Sequence, residues 1–126
     1  MESGNVAIAV PGDPERARAI ISRGRRIARY FGVEWIAVRI ISSPGEARDA
    51  LRELVDTLGG FLICAEARDI AAGLIEVSLR EHARVLVIGR SRRPRLLRRL
   101  KRGTTERILH AKRPFDVVVA AEGVDR

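Results

Sequence analysis

The 126-residue sequence predicts a three-layer α/β sandwich, a five-stranded parallel sheet with helices on both faces, and three observations carry that prediction. Short, continuously apolar runs rich in Val and Ile alternate strictly with longer segments whose apolar residues recur at three and four. The runs lack the in-and-out alternation of a half-wet sheet, so each strand needs cover on both faces. No Pro-, Gly- or Ser-rich tract divides the chain, and residues 1–126 are expected to form one domain.

The first run, "NVAIAVPGD", is a strand ending near Val10 and closed by turn residues. A helix follows, with Asp13 as N-cap, Pro14 at the first helical position, where its missing N–H costs nothing, and Glu15 beside the positive helix end. Its stripe of Ala17, Ile20, Ile21, Gly24, Ile27, Ala28 and Phe31 faces the core, while Arg18, Arg25, Arg26 and Arg29 fall on the wet side. Residues 33–41, "VEWIAVRII", form the second strand. "SPGEARDALRELVDTL" reads as the second helix, opened by a capping box of Ser43 and Glu46 and stopped by Gly59 and Gly60. "FLICAEA" is the third strand, and Asp69 caps a third helix in which Ile70, Leu74 and Val77 share a face. "RVLVIG" is the fourth strand, "TTERILHA" a short fourth helix, and "FDVVVAA" the fifth strand. Right-handed crossovers between parallel neighbours then place helices on both faces.

Composition removes several functional classes. With 46% hydrophobic and 32% charged residues the chain is globular in balance, and with 4% aromatics it has few side chains on which bases could stack. No apolar run approaches the ~20 residues of a membrane-spanning helix, and the start "MESGNVAIAV" is unlike a secretory signal, so a cytoplasmic location is expected. The single cysteine, Cys64, lies within "FLICA" and reads as an inert core thiol.

Charge is unevenly placed. The net charge is +8, and residues 90–102 hold eight basic side chains and no acid, which leaves sixteen basic against sixteen acidic residues elsewhere. The whole formal excess belongs to one loop after the fourth strand, the pattern of an anion-binding footprint. Gly89 ends that strand, Arg90, Arg92 and Arg93 can form bidentate hydrogen bonds to phosphate, and Gly103, Thr104 and Thr105 open the next helix with free N–H groups and hydroxyls. In open parallel sheets ligands lie beyond the carboxyl ends of the strands where winding reverses, which puts "VPGD" opposite "GRSRRPR" if the first and fourth strands are neighbours. There is no Walker loop and no GxGxxG after the first strand. His82 and His110 read as helix-end or surface residues, and no spacing assembles a catalytic or metal-ligating set.

These residues resemble the universal stress protein family over essentially the whole chain. "DIAAGLIEVSLREHARVLVIGRSRRPR" and "VPGDP" are similar to the universal-stress-protein-like domain of KdpD-type potassium sensor kinases. The resemblance implies the adenine-nucleotide alpha-hydrolase-like fold with strand order 3-2-1-4-5, and a cytoplasmic regulatory module, often dimeric, whose relatives bind ATP or cyclic di-AMP. Nucleotide-binding members carry G-x-x-G, nine residues, then G-Ser/Thr. Here Arg92 stands at the second glycine, ten residues separate it from Gly103, and Pro11 replaces the aspartate that follows the first strand of ATP-binding members. No kinase core or phosphoacceptor segment is present in these residues, so a free-standing relative is expected.

The implied site comprises Val10, Pro11, Gly12, Asp13 and Ile40 around base and ribose, with Gly89, Arg90, Ser91, Arg92, Arg93, Gly103, Thr104 and Thr105 around phosphates. The expected function is regulatory binding of an adenine nucleotide, ATP or cyclic di-AMP, without turnover and without a metal. The fifth strand, Asp116 to Ala121, would pair with a second copy as a homodimer. The alternatives are a ligand-free dimeric scaffold, a nucleic-acid-binding module using the same basic loop, and, least supported, a weak phosphatase or kinase.

Overall fold

A computed structural model describes residues 4–41, 48–89, 107–108 and 113–120. Among them the order is β1 (Asn5–Ala9), α1 (Pro14–Phe31), β2 (Trp35–Ile41), α2 (Asp49–Thr57), β3 (Phe61–Glu66), α3 (Ile70–Arg80), β4 (Ala83–Gly89) and β5 (Asp116–Ala120). The strands form one sheet in the order β3-β2-β1-β4-β5, and every neighbouring pair is parallel. This is the expected fold.

Right-handed crossovers explain the layering. The chain steps outward from β1 through β2 to β3, so α1 and α2 share one face; it then returns past β1 to β4, so α3 lies on the other. Two buried clusters record this. Val6, Ile8 and Val10 of the first strand pack with Ile20 and Ile21 of α1 and Leu54 and Val55 of α2. Ala7, Val38, Ile40, Leu86 and Ile88 pack with Leu74 and Val77 of α3, and with Ile108 and Phe115. Each fully buried Ile or Leu in these layers stabilises the fold by roughly 1.5–3 kcal/mol.

Local chemistry sets the helix ends. Asp13 accepts a hydrogen bond from the Glu15 N–H at 3.2 Å, and α1 ends at Gly32, whose left-handed φ of 70° suits a residue without Cβ. Gly24 has a packing role: a Cβ there would overlap Ile8 Cγ1 and Cδ1, so its absence lets α1 sit close on β1. Phe31, expected in the core stripe, is instead 40% exposed and lies under the Arg84 guanidinium, 4.3 Å from the ring centroid. Ile70, the first residue of α3, is 40% exposed, while Leu74 and Val77 on the same helix are buried.

The second helix begins later than the capping box implied. Arg48 has φ −129° and ψ 1° and provides no side-chain cap, so helical backbone starts at Asp49, whose carboxylate lies in the favourable first turn. Ser43 and Glu46, the two residues of the capping box, lie outside the described residues. Cys64 is half-buried against the α1 and α2 cluster. His82 closes α3 with φ 57°, and its N–H donates to Leu79 O at 3.2 Å, a helix-end role as expected.

Candidate functional site

Strand register brings the carboxyl ends of β2, β1 and β4 together. Ile8 is level with Ala37 on one side and Val87 on the other, so two residues further along Val10 and Gly89 face each other across the central pair. The Val10 N–H donates to Val38 O at 2.9 Å, extending the ladder one residue beyond β1, and Gly89 is level with Ala120 of β5. Winding reverses here. The chain leaving β1 crosses to the α1 face, whereas Ile108, after β4, packs on the α3 face. In parallel sheets ligands gather beyond the strand ends at such a reversal, and here that position falls between Val10 and Gly89.

The residues lining this edge contribute in different ways. Val10 and Ile40 have buried side chains, and Ile40 packs so tightly on α3 that a Cβ at Gly73 would lie 3.2 Å from its Cδ1 and Cγ2. Both can present only backbone to a ligand. Pro11 is half-buried, while Gly12 and Asp13 are exposed. Asp13 is already engaged: its carboxylate caps α1 and its carbonyl accepts from the Ala17 N–H at 2.9 Å. At Gly89 a Cβ would come 3.3 Å from Ile20 Cδ1, so even alanine is tight there.

An ion pair ties two connections at the same end of the sheet. Arg107 donates through Nη2 to Asp69 Oδ2, and Asp69 Oδ1 accepts from the Ala72 N–H at 3.2 Å, capping α3 as expected. The Arg107 hydrogen bond, with help from the Ala72 N–H, holds the Asp69 carboxyl below the usual carboxylate range. Capping alone identified Asp69 from sequence. Its pairing with Arg107 was missed, although an arginine in the first turn after "GTTE" offers a signal: it opposes the helix dipole and needs an acid nearby.

Of the expected site residues, the structure brings Val10, Pro11, Gly12, Asp13, Ile40 and Gly89 to one edge. Arg90, Ser91, Arg92, Arg93, Gly103, Thr104 and Thr105 lie outside the described residues, as do His110 and Ala121. Among the described residues no group of three or more His, Cys, Asp or Glu could hold a metal ion, and no helix is long and apolar enough to cross a membrane.

A solved universal stress protein in complex with cAMP superposes with a TM-score of 0.76, covering 97% of this chain and 100% of that one at 16% identity. The chain has the universal stress protein fold. Two further universal stress protein structures, from Archaeoglobus fulgidus, align over 94% of the chain and 98% of theirs at 16% identity, with a TM-score of 0.71 for one and 0.65 for a complex with dAMP. In sequence the chain is 30% identical over 118 residues to the sensor protein KdpD of Mycobacterium tuberculosis, in strains CDC 1551 / Oshkosh and ATCC 25618 / H37Rv. That match covers 89% of this chain but 14% of the relative, so the chain spans a small part of KdpD's length. No family model matches. The universal stress fold and the likeness to KdpD are thus the resemblances expected from the residues.

Proposed function

We propose that the crevice between Val10 and Gly89 binds an adenine nucleotide and that the chain acts as a nucleotide-responsive regulatory module without turnover. The observation that carries this is the strand register, which sets Val10 and Gly89 face to face at the winding reversal of a fold whose solved relatives include complexes with cAMP and dAMP. Backbone at Val10 to Asp13 and at Ile40 flanks the base and ribose. Arg90, Arg92 and Arg93 neutralise phosphates, Ser91 adds a hydroxyl, and the helix start at Gly103, Thr104 and Thr105 donates N–H and hydroxyl groups. Arginine density favours a ligand with more than one phosphate, ATP or cyclic di-AMP, over a single monophosphate. The chain works in the cytoplasm as a homodimer paired through β5, whose Val118 is 36% exposed at the sheet edge.

Thermal shift tests this reading with ATP, cyclic di-AMP, cAMP and a short DNA duplex at low and high salt. Stabilisation by adenine nucleotides that persists at high salt supports it. The eight basic residues at 90–102 favour one second reading, a grip on nucleic acid. Its signature is stabilisation by the duplex alone, falling steeply with salt as counterions are released, and that result would sink the nucleotide assignment.

A further inference from the structure

Asp69 stands on a fixed base at the carboxyl end of the sheet. Just after β3 the Ala67 N–H donates to Ile41 O at 3.1 Å, which ties this connection to the end of β2. Asp69 O then accepts from the Gly73 N–H at 2.9 Å and its carboxylate accepts from the Ala72 N–H at 3.2 Å, so the residue is joined to the first turn of α3 by main chain and side chain alike. That turn is itself closely seated. A Cβ at Gly73 would lie 3.0 Å from Ala67 Cβ and 3.2 Å from Ile40 Cδ1 and Cγ2. Asp69 is thus a post set on the helix that packs against Ile40, whose backbone borders the proposed ligand site. Across the pair, Ile108 is fully buried in the α3-face cluster. One buried side chain anchors a stretch of chain but leaves it free to pivot about that point. The bond from Arg107 Nη2 to Asp69 Oδ2 supplies a second point of attachment and fixes the direction of the stretch.

We infer that Asp69 is a positioning residue for the phosphate end of the ligand site, acting through Arg107 on the chain that arrives from Gly103, Thr104 and Thr105. The inference rests on the nucleotide reading above and adds a residue that reading does not use. Thr105 precedes Arg107 by two residues, a reach of at most about 7 Å, so turning Arg107 moves the donors that reading assigns to phosphate. Charge and position make opposite demands here. As a bare charge, a carboxylate at this end of the sheet repels phosphate, and its removal tightens binding. As a post, it aims the donors, and its removal loosens binding. The sign of one substitution separates the two.

The test is calorimetric titration of the full chain with ATP and with adenosine, comparing wild type, Asp69→Asn, Arg107→Gln and the double variant, each held below its melting transition. Asparagine keeps a side-chain oxygen for the α3 cap, so the helix keeps its start. Asp69→Asn should weaken ATP binding by up to about fivefold, the scale of one exposed ion pair. Adenosine binding should stay unchanged, because only the phosphate end is displaced. In the Arg107→Gln background, Asp69→Asn should weaken ATP no further, since the pair is already broken. Tighter ATP binding by Asp69→Asn, equal loss of ATP and adenosine, or a further loss in the double variant would each overturn the inference. A wild type that binds ATP as well as Asp69→Asn does removes the positioning role alone, whereas a wild type that does not bind ATP removes the nucleotide reading and this inference with it.

Discussion

Arg107 and Asp69, 38 residues apart in sequence, meet as an ion pair at the carboxyl end of the sheet, where the same aspartate caps α3. One carboxylate thus secures the start of a helix on one side and the connection that follows the arginine loop on the other. Both groups remain partly open to solvent, at 44% for Arg107 and 38% for Asp69, so the pair acts as a local tie more than as a source of global stability.

The tie should show in acid. Arg107 holds the Asp69 carboxyl below its unfolded value of about 3.9, so near that pH the folded protein binds fewer protons than the unfolded chain. Its contribution is complete above that unfolded value and is lost as pH falls through the lower folded value. Asp69→Asn, which keeps a capping oxygen but no charge, should melt below the wild type at pH 7, and the gap should close as pH falls through the lowered folded value. Asp69→Ala should melt lower still at pH 7, since it also removes the cap. Urea melts across this range provide the check, and an unchanged gap at low pH would refute the linkage.

Gly24→Ala should destabilise the protein despite the better helix propensity of alanine. Propensity offers about 1 kcal/mol in its favour, whereas forcing a methyl into Ile8 costs typically about 1–3 kcal/mol. A double-mutant cycle with Ile8→Val, which shortens the opposing side chain, should recover part of the loss. Additive effects in chemical denaturation would show that the two residues do not share one space.

Gly89→Ala separates packing from binding. Its Cβ would lie 3.3 Å from the flexible end of Ile20, so stability should fall by less than about 1.5 kcal/mol. Nucleotide stabilisation, measured by thermal shift, should fall more than stability does, because the added methyl crowds the crevice. Full retention of the nucleotide shift would place the ligand elsewhere.

Replacing Arg90, Arg92 and Arg93 together by alanine should remove the response to ATP and cyclic di-AMP while leaving the melting temperature of the free protein nearly unchanged. Titrations over a salt series then distinguish the readings. A loss confined to nucleotides supports a crevice, and a reduced salt slope for duplex DNA supports a surface polyanion site.

His82→Gly should stabilise the chain by up to about 1 kcal/mol. A left-handed residue with a Cβ costs roughly 1–2 kcal/mol, and glycine returns part of that gain as chain entropy in the unfolded state. Thermal melts of this exposed helix-end variant check it, and a drop in melting temperature would indicate a contact made by the imidazole.

The sequence by itself determined the elements, because each is written in local chemistry. Val and Ile runs with no alternation require strands covered on both faces, and Asp13 with Pro14, and Asp69 before "IAAGL", mark helix starts wherever they occur. Strand order came from the family resemblance, and the site from the rule that ligands gather where winding reverses; register then set Val10 opposite Gly89. Local signals misled at α2, where the capping box lay six residues ahead of the helix that begins at Asp49, and at Phe31, whose spacing matched the buried stripe but which ends α1 40% exposed under Arg84. Only the tertiary structure decided which distant residues meet. The Arg107 and Asp69 pair and the seating of Gly24 on Ile8 depend on crossover handedness and helix rotation about the sheet. Those quantities arise when strands pair, and no stretch of chain encodes them alone.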